Sequence, residues 1–136
     1  MFRKIAHVGV AVKDLDAAIA LYRDTLGVPF AGTDEVPDQG VRVAMFPVGE
    51  SRVEFLAATR PDSPIAKFIE KKGEGIQHIA FAVDDIEAAI AGLRAKGVVM
   101  IDEKPRIGAG GHKIAFLHPK STGGLLVELT QIAHGE

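Results

Sequence analysis

His7 opens the run His7-Val8-Gly9-Val10-Ala11-Val12, and His78 opens His78-Ile79-Ala80-Phe81-Ala82-Val83. Each run passes through Asp into an alanine-rich stretch, Asp14-Leu15-Asp16-Ala17-Ala18-Ile19 in the first copy and Asp85-Ile86-Glu87-Ala88-Ala89-Ile90 in the second. Each copy also closes on an acid set among apolar residues: Glu54 in Val53-Glu54-Phe55-Leu56 and Glu128 in Val127-Glu128-Leu129. Imidazole nitrogen and carboxylate oxygen together make a donor set suited to a divalent metal. A carboxylate taken out of water is costly unless it is paired or bound to a cation. Two histidines and two glutamates at matching places of a repeated unit therefore predict one metal centre built from His7, Glu54, His78 and Glu128. Strand alternation leaves a second reading open, in which both acids simply face solvent.

The elements that must position these residues follow from periodicity. A buried strand is expected over residues 4–12, and a helix over 15–26 with Asp14 as its N-cap. Leu15, Ile19, Tyr22 and Leu26 are spaced to face a core, and Gly27 stands where a helix stops. Residues 28–36 form a strand or loop, followed by a turn at Pro37-Asp38-Gln39-Gly40. Strands at 41–46 and 52–56 pair around Val48-Gly49-Glu50-Ser51, and a short helix spans 64–71. Lys71-Lys72-Gly73-Glu74-Gly75 links the copies. The second copy repeats the order, with a strand at 76–83, a helix at 85–96 closed by Gly97, and strands at 98–101, 113–118 and 124–130. Pro105 to Gly111 is expected as a flexible loop. The fold class is α+β: one domain over residues 1–136 made of two tandem βαβββ modules, about 4–72 and 75–132, whose curved sheets enclose a metal-centred cavity.

The bulk properties fit that reading. A chain of 136 residues that is 47% hydrophobic and 25% charged can bury a core and remain soluble. A net charge of −2 gives no overall field to attract nucleic acid. With no cysteine, disulfides, thiolate ligands and cysteine nucleophiles are excluded together. No apolar run reaches the roughly 20 residues that span a bilayer, and the N-terminus enters the first strand directly. The expected setting is the cytoplasm, without membrane or nucleic-acid partners.

Weaker candidates surround these four. Lys104, Arg106, Lys113 and Lys120 flank the glycine-rich Gly108-Ala109-Gly110-Gly111 and can meet an anion, or form solvated surface. His112, His118 and His134 have no counterpart in the first copy, although His118 is a candidate to assist binding. The chain has no P-loop lysine at the required spacing, no Gly-x-Ser-x-Gly and no dinucleotide fingerprint.

The paired strand histidines, the paired strand glutamates and the βαβββ duplication resemble the vicinal oxygen chelate superfamily, which includes glyoxalase I, extradiol dioxygenases, fosfomycin-resistance proteins and methylmalonyl-CoA epimerases. Within it the chain is most similar to the epimerase family. The similarity is carried by His7-Val8-Gly9-Val10-Ala11-Val12, Asp62-Ser63-Pro64-Ile65-Ala66-Lys67-Phe68 and Gly75-Ile76-Gln77-His78-Ile79-Ala80. It continues through Pro105-Arg106-Ile107-Gly108-Ala109-Gly110-Gly111, Phe116-Leu117-His118-Pro119-Lys120 and Gly123-Gly124-Leu125-Leu126-Val127-Glu128-Leu129. The resemblance implies a divalent metal (Co²⁺, Mn²⁺, Zn²⁺, Ni²⁺ or Mg²⁺) on His7, His78 and Glu128. Position 54 holds Glu where some epimerases have Gln, leaving Glu54 open as ligand or base. A further family acid falls near Asp38, the reserve base. The implied reaction interconverts (2R)- and (2S)-methylmalonyl-CoA through proton abstraction and return at C2. Glu128 and Glu54 would act from opposite sides, with the CoA over Lys104, Arg106, Lys113 and Lys120. A homodimer is implied as well. The alternatives are a glyoxalase-like isomerase of a thiol adduct and a ligand-binding member of the same fold.

Overall fold

Asp14 and Asp85 start the two helices that follow the histidine strands. The Asp14 carboxylate accepts from Ala17 N at 3.0 Å and that of Asp85 from Ala88 N at 3.1 Å, each satisfying an amide that the first helical turn leaves open. The computed structural model describes residues 2–132. Its strands are β1 (Phe2–Ala11), β2 (Gly32–Val36), β3 (Val41–Val48), β4 (Ser51–Ala58), β5 (Gly75–Val83), β6 (Arg106–Ile107), β7 (Lys113–Leu117) and β8 (Leu126–Gln131). The α-helices are α1 (Leu15–Ile19), α2 (Pro64–Lys72) and α3 (Ile86–Ala95). Among the described residues no helix is long and apolar enough to cross a membrane.

The chain divides into two compact units, His7–Gln77 and a second one combining Met1–Ala6 with His78–Glu136. The first carries strands in the order β2-β3-β4-β1, and the second the order β5-β8-β7-β6. In each, the strand that opens with histidine runs parallel to the last strand of its repeat, β1 along β4 and β5 along β8, while the remaining pairs are antiparallel. The mixed α+β architecture expected from the pattern is present. The unit boundary differs from the repeat boundary, because Phe2–Ala6 packs with the second unit. There the Phe2 ring stacks on Phe81 at 5.0 Å, Arg3 pairs with Asp84 at 3.4 Å, and Ala6 is buried with Ala80 and Ala82.

In the first unit, α1 lies on β3 and β4, burying Leu15 and Ile19 against Ala44, Phe46 and Phe55. The helix then widens into a π-helical turn, Ala20–Thr25, marked by Leu26 N donating to Leu21 O five residues back. The extra residue per turn rotates the following side chains away from the 3.6-residue face. Tyr22 still reaches Phe46 and Phe55, but Leu26 is 57% exposed rather than in the core. Gly27 follows with φ 71°, the left-handed conformation that ends a helix. The N-cap of α2, Ser63, is fully buried and its Oγ accepts from Ile65 N at 3.2 Å.

In the second unit, α3 packs on β7 and β8, burying Ile86, Ala89 and Ile90 with Leu117, Val127 and Leu129. Full burial of a side chain such as Ile86 contributes about 1.5–3 kcal/mol of transfer free energy. Two expectations fail here. Residues 98–101 make only an isolated bridge, Met100 to Leu117, and Arg106–Ile107 in the expected loop is the strand β6. The cause is Asp102, whose carboxylate takes the Phe116 N–H at 2.9 Å that a neighbouring backbone carbonyl would otherwise accept. Pro105 then supplies no N–H, so pairing resumes only at Arg106.

Candidate functional site

In the first unit, the parallel register sets His7 beside Arg52 and Gly9 beside Glu54. Side chains two apart on a strand share a face, so His7, Arg52 and Glu54 all point the same way. Gly9 has no side chain to occupy the space beside the Glu54 carboxylate. His7 is 4% exposed and Glu54 3%. His7 Nδ1 lies 3.5 Å from Glu54 Oε2. Arg52 donates to that same oxygen from Nε at 3.0 Å and from Nη2 at 2.9 Å, and its Nη2 is 3.4 Å from His7 Nδ1.

The second unit repeats the frame. His78 sits beside Leu126 and Ala80 beside Glu128, again on one face. Both functional side chains are 4% exposed, and His78 Nε2 is 3.2 Å from Glu128 Oε1. The Phe116 ring stands edge-on to the His78 imidazole, 5.7 Å between centroids and 85° between planes. The reading in which both acids face solvent is therefore overturned. Each carboxylate is buried with a histidine of its own unit.

The remaining residues divide. Asp38 is exposed on the one-turn 3-10 helix Pro37–Gln39. That turn is clamped by Arg60, which donates to Pro37 O at 2.6 Å and Asp38 O at 3.0 Å. Gly40 has φ 61°, and a Cβ there would lie 2.9 Å from the Arg60 guanidinium carbon. The four basic candidates do not share one face. Arg106 is registered with Ile114, its guanidinium is 5.8 Å from the Phe116 ring centroid, and it pairs with Asp102 at 3.4 Å. Lys113 is registered with Ile107, points to the other side of the ladder by alternation, and meets Glu87 of α3 at 3.8 Å. Lys104 lines a cleft with Glu87 and Glu103, and Lys120 is exposed in the Pro119–Ser121 turn. His118 is a cap, its Nδ1 accepting from Lys120 N at 3.1 Å. His134 lies outside the described residues.

The residue that the sequence pattern did not single out is Arg52. The signal was its place two before Glu54 on one strand, which sets both on one face.

Buried imidazoles and a carboxylate, His7, His78 and Glu128, have the donor chemistry that a divalent ion takes. The model of the Glyoxalase/Bleomycin resistance protein/Dioxygenase superfamily matches residues 6–116. The chain is 41% identical over 129 residues to human mitochondrial methylmalonyl-CoA epimerase, covering 94% of this chain and 73% of that protein. It is 42% identical over 134 residues to the ethylmalonyl-CoA/methylmalonyl-CoA epimerase of Cereibacter sphaeroides, covering 97% of this chain and all (100%) of that one. Among solved structures, a methylmalonyl-CoA epimerase in complex with methylmalonyl-CoA and NH4+ superposes with a TM-score of 0.95 at 41% identity, covering 100% of this chain and 99% of the other. On a match that spans most of its length, the chain belongs to the Glyoxalase/Bleomycin resistance protein/Dioxygenase superfamily, within its methylmalonyl-CoA epimerase family.

Proposed function

We propose that the protein is an isomerase that interconverts the (2R) and (2S) forms of methylmalonyl-CoA, with His7, His78 and Glu128 as ligands of one divalent ion. The observation that carries this reading is the recurrence of a buried His–Glu pair at the same register position of both units. The relatives named as epimerases, matched over 94% and 97% of this chain, support the substrate class.

C2 of the substrate lies between a thioester and a carboxylate, and inversion requires proton removal on one face and return on the other. A bound divalent ion would supply positive charge beside the enolate oxygen that develops as the proton leaves. The chain's own carboxylates do the proton transfer. Glu128 is one base, held against His78 with little freedom to turn away. The opposite base comes from Glu54, the fourth candidate ligand, or from Asp38, whose turn Arg60 holds in place. Burial of the His7–Glu54 and His78–Glu128 pairs keeps bulk water from competing for the proton. For the CoA moiety, Lys120 is the better candidate, since Lys104, Arg106 and Lys113 are each set beside acids.

The test is incubation of metal-loaded protein with (2R)-methylmalonyl-CoA in D₂O, following C2 by NMR beside a chelator-treated control. Deuterium uptake with loss of stereochemical purity, abolished by the chelator, is the expected result. No exchange above the uncatalysed background would refute the epimerase reading and leave a thiol-adduct isomerase or a binding protein.

A further inference from the structure

Glu54 and Glu128 occupy the same position of the same frame, but the residue beside the histidine differs between the copies. Beside the first histidine stands Arg52, and beside the second stands Leu126. Arginine stays charged under all conditions in which the protein is folded. Its Nε and Nη2 both donate to Oε2 of Glu54, at 3.0 and 2.9 Å, and Glu54 is only 3% exposed. In such a poorly hydrated place opposite charges cancel one another rather than being screened separately by solvent. Glu54 thus belongs to an almost neutral pair, whereas the residue registered like Arg52 next to Glu128 is an alkyl side chain.

We infer that Arg52 is a positioning residue that neutralises Glu54 and thereby limits how tightly the His/Glu centre holds its divalent ion, leaving more of the ion's charge for the substrate. The inference rests on the metal-centre reading above. Two free carboxylates would bind a cation more strongly and quench more of its positive field. With Arg52 in place, the Glu54 carboxylate is fixed beside His7 with its charge offset by the guanidinium. The duplicated frame also supplies the natural replacement, because leucine already fills the equivalent place of the second copy.

The experiment measures Mn²⁺ binding to the full chain, reading free Mn²⁺ by electron paramagnetic resonance, with circular dichroism as a check of folding. Arg52→Leu should bind Mn²⁺ on the order of tenfold more tightly than the wild type. In epimerase turnover its kcat should fall while KM holds. Adding Glu54→Gln to Arg52→Leu removes the uncompensated charge and should bring the affinity back to within about threefold of the wild type. Arg52→Lys, which keeps the charge, should stay near the wild type. Should the apolar replacement not fold, Arg52→Gln keeps a donor to Glu54 without the charge and reads the same quantity. Unchanged or weaker Mn²⁺ binding in a folded Arg52→Leu or Arg52→Gln protein overturns the inference and leaves the metal centre standing. Absence of Mn²⁺ binding in the wild type overturns the centre and the inference together.

Discussion

A carboxylate closed off from water has to be matched by positive charge or by donors, and Glu54 and Glu128 meet that demand by different means. Glu54 has Arg52 and His7 within reach, whereas Glu128 is held to His78. Replacement of Glu128 by Gln retains shape and, on the proposed mechanism, removes both an anionic ligand and a base. It should therefore lower epimerisation by about 100-fold or more while the circular dichroism spectrum is unchanged. Retention of turnover would show that proton transfer does not pass through Glu128. The paired placement of the two histidines and two glutamates, all four buried, was legible in the chain, because a repeat doubles every signal and a coincidence of four positions is hard to produce by accident. Arg52 was not, since an arginine in an alternating strand reads by default as a solvated residue. Its role depends on the parallel pairing of β1 with β4, a contact between segments far apart in sequence.

At the level of the elements, local chemistry announced the starts and stops better than the turns between them. Asp14, Gly27 and Gly97 mark element ends as their types suggest, with φ 71° and 89° at the two glycines. The π turn after α1 was hidden because its residues satisfy the helical period as far as Tyr22, and only the exposure of Leu26 and its bond back to Leu21 reveal the rotation. The segment from Met100 to Ile107 was misjudged because a side chain, Asp102, substitutes for backbone in the ladder, and such a substitution has no periodic signature. Removal of the α3 cap by Asp85→Ala should cost about 1 kcal/mol, read from urea unfolding, without changing the chemistry of the His–Glu pairs. A loss much above that would mean that Asp85 does more than cap the helix.

For the molecule as a whole, the βαβββ repeat and the α+β class follow from the hydrophobic pattern, while the membership of each segment in a packed unit does not. Ligand binding that requires the folded arrangement stabilises that arrangement by mass action. A free divalent metal concentration 100 times Kd should add about 2.7 kcal/mol of stability. For a chain of this size that raises Tm by roughly 8 °C in calorimetry, and a chelator should reverse it. An unmoved transition would refute metal binding by the native state, whatever the assay of turnover gave.

The divided allegiance of β1 bears on how this chain comes to be. Phe2 to Ala6 are translated before His7–Gln77, yet the residues they pack against, Ala80 to Asp84, are translated only after the whole of His7–Gln77 has been made. That segment must therefore wait for its cover, Phe81 included, while His7–Gln77 is made. A half-gene encoding the second repeat alone would lack that segment and leave Phe81 and Ala80 without their cover, so the duplication, once fused, is not readily split back into two self-sufficient proteins.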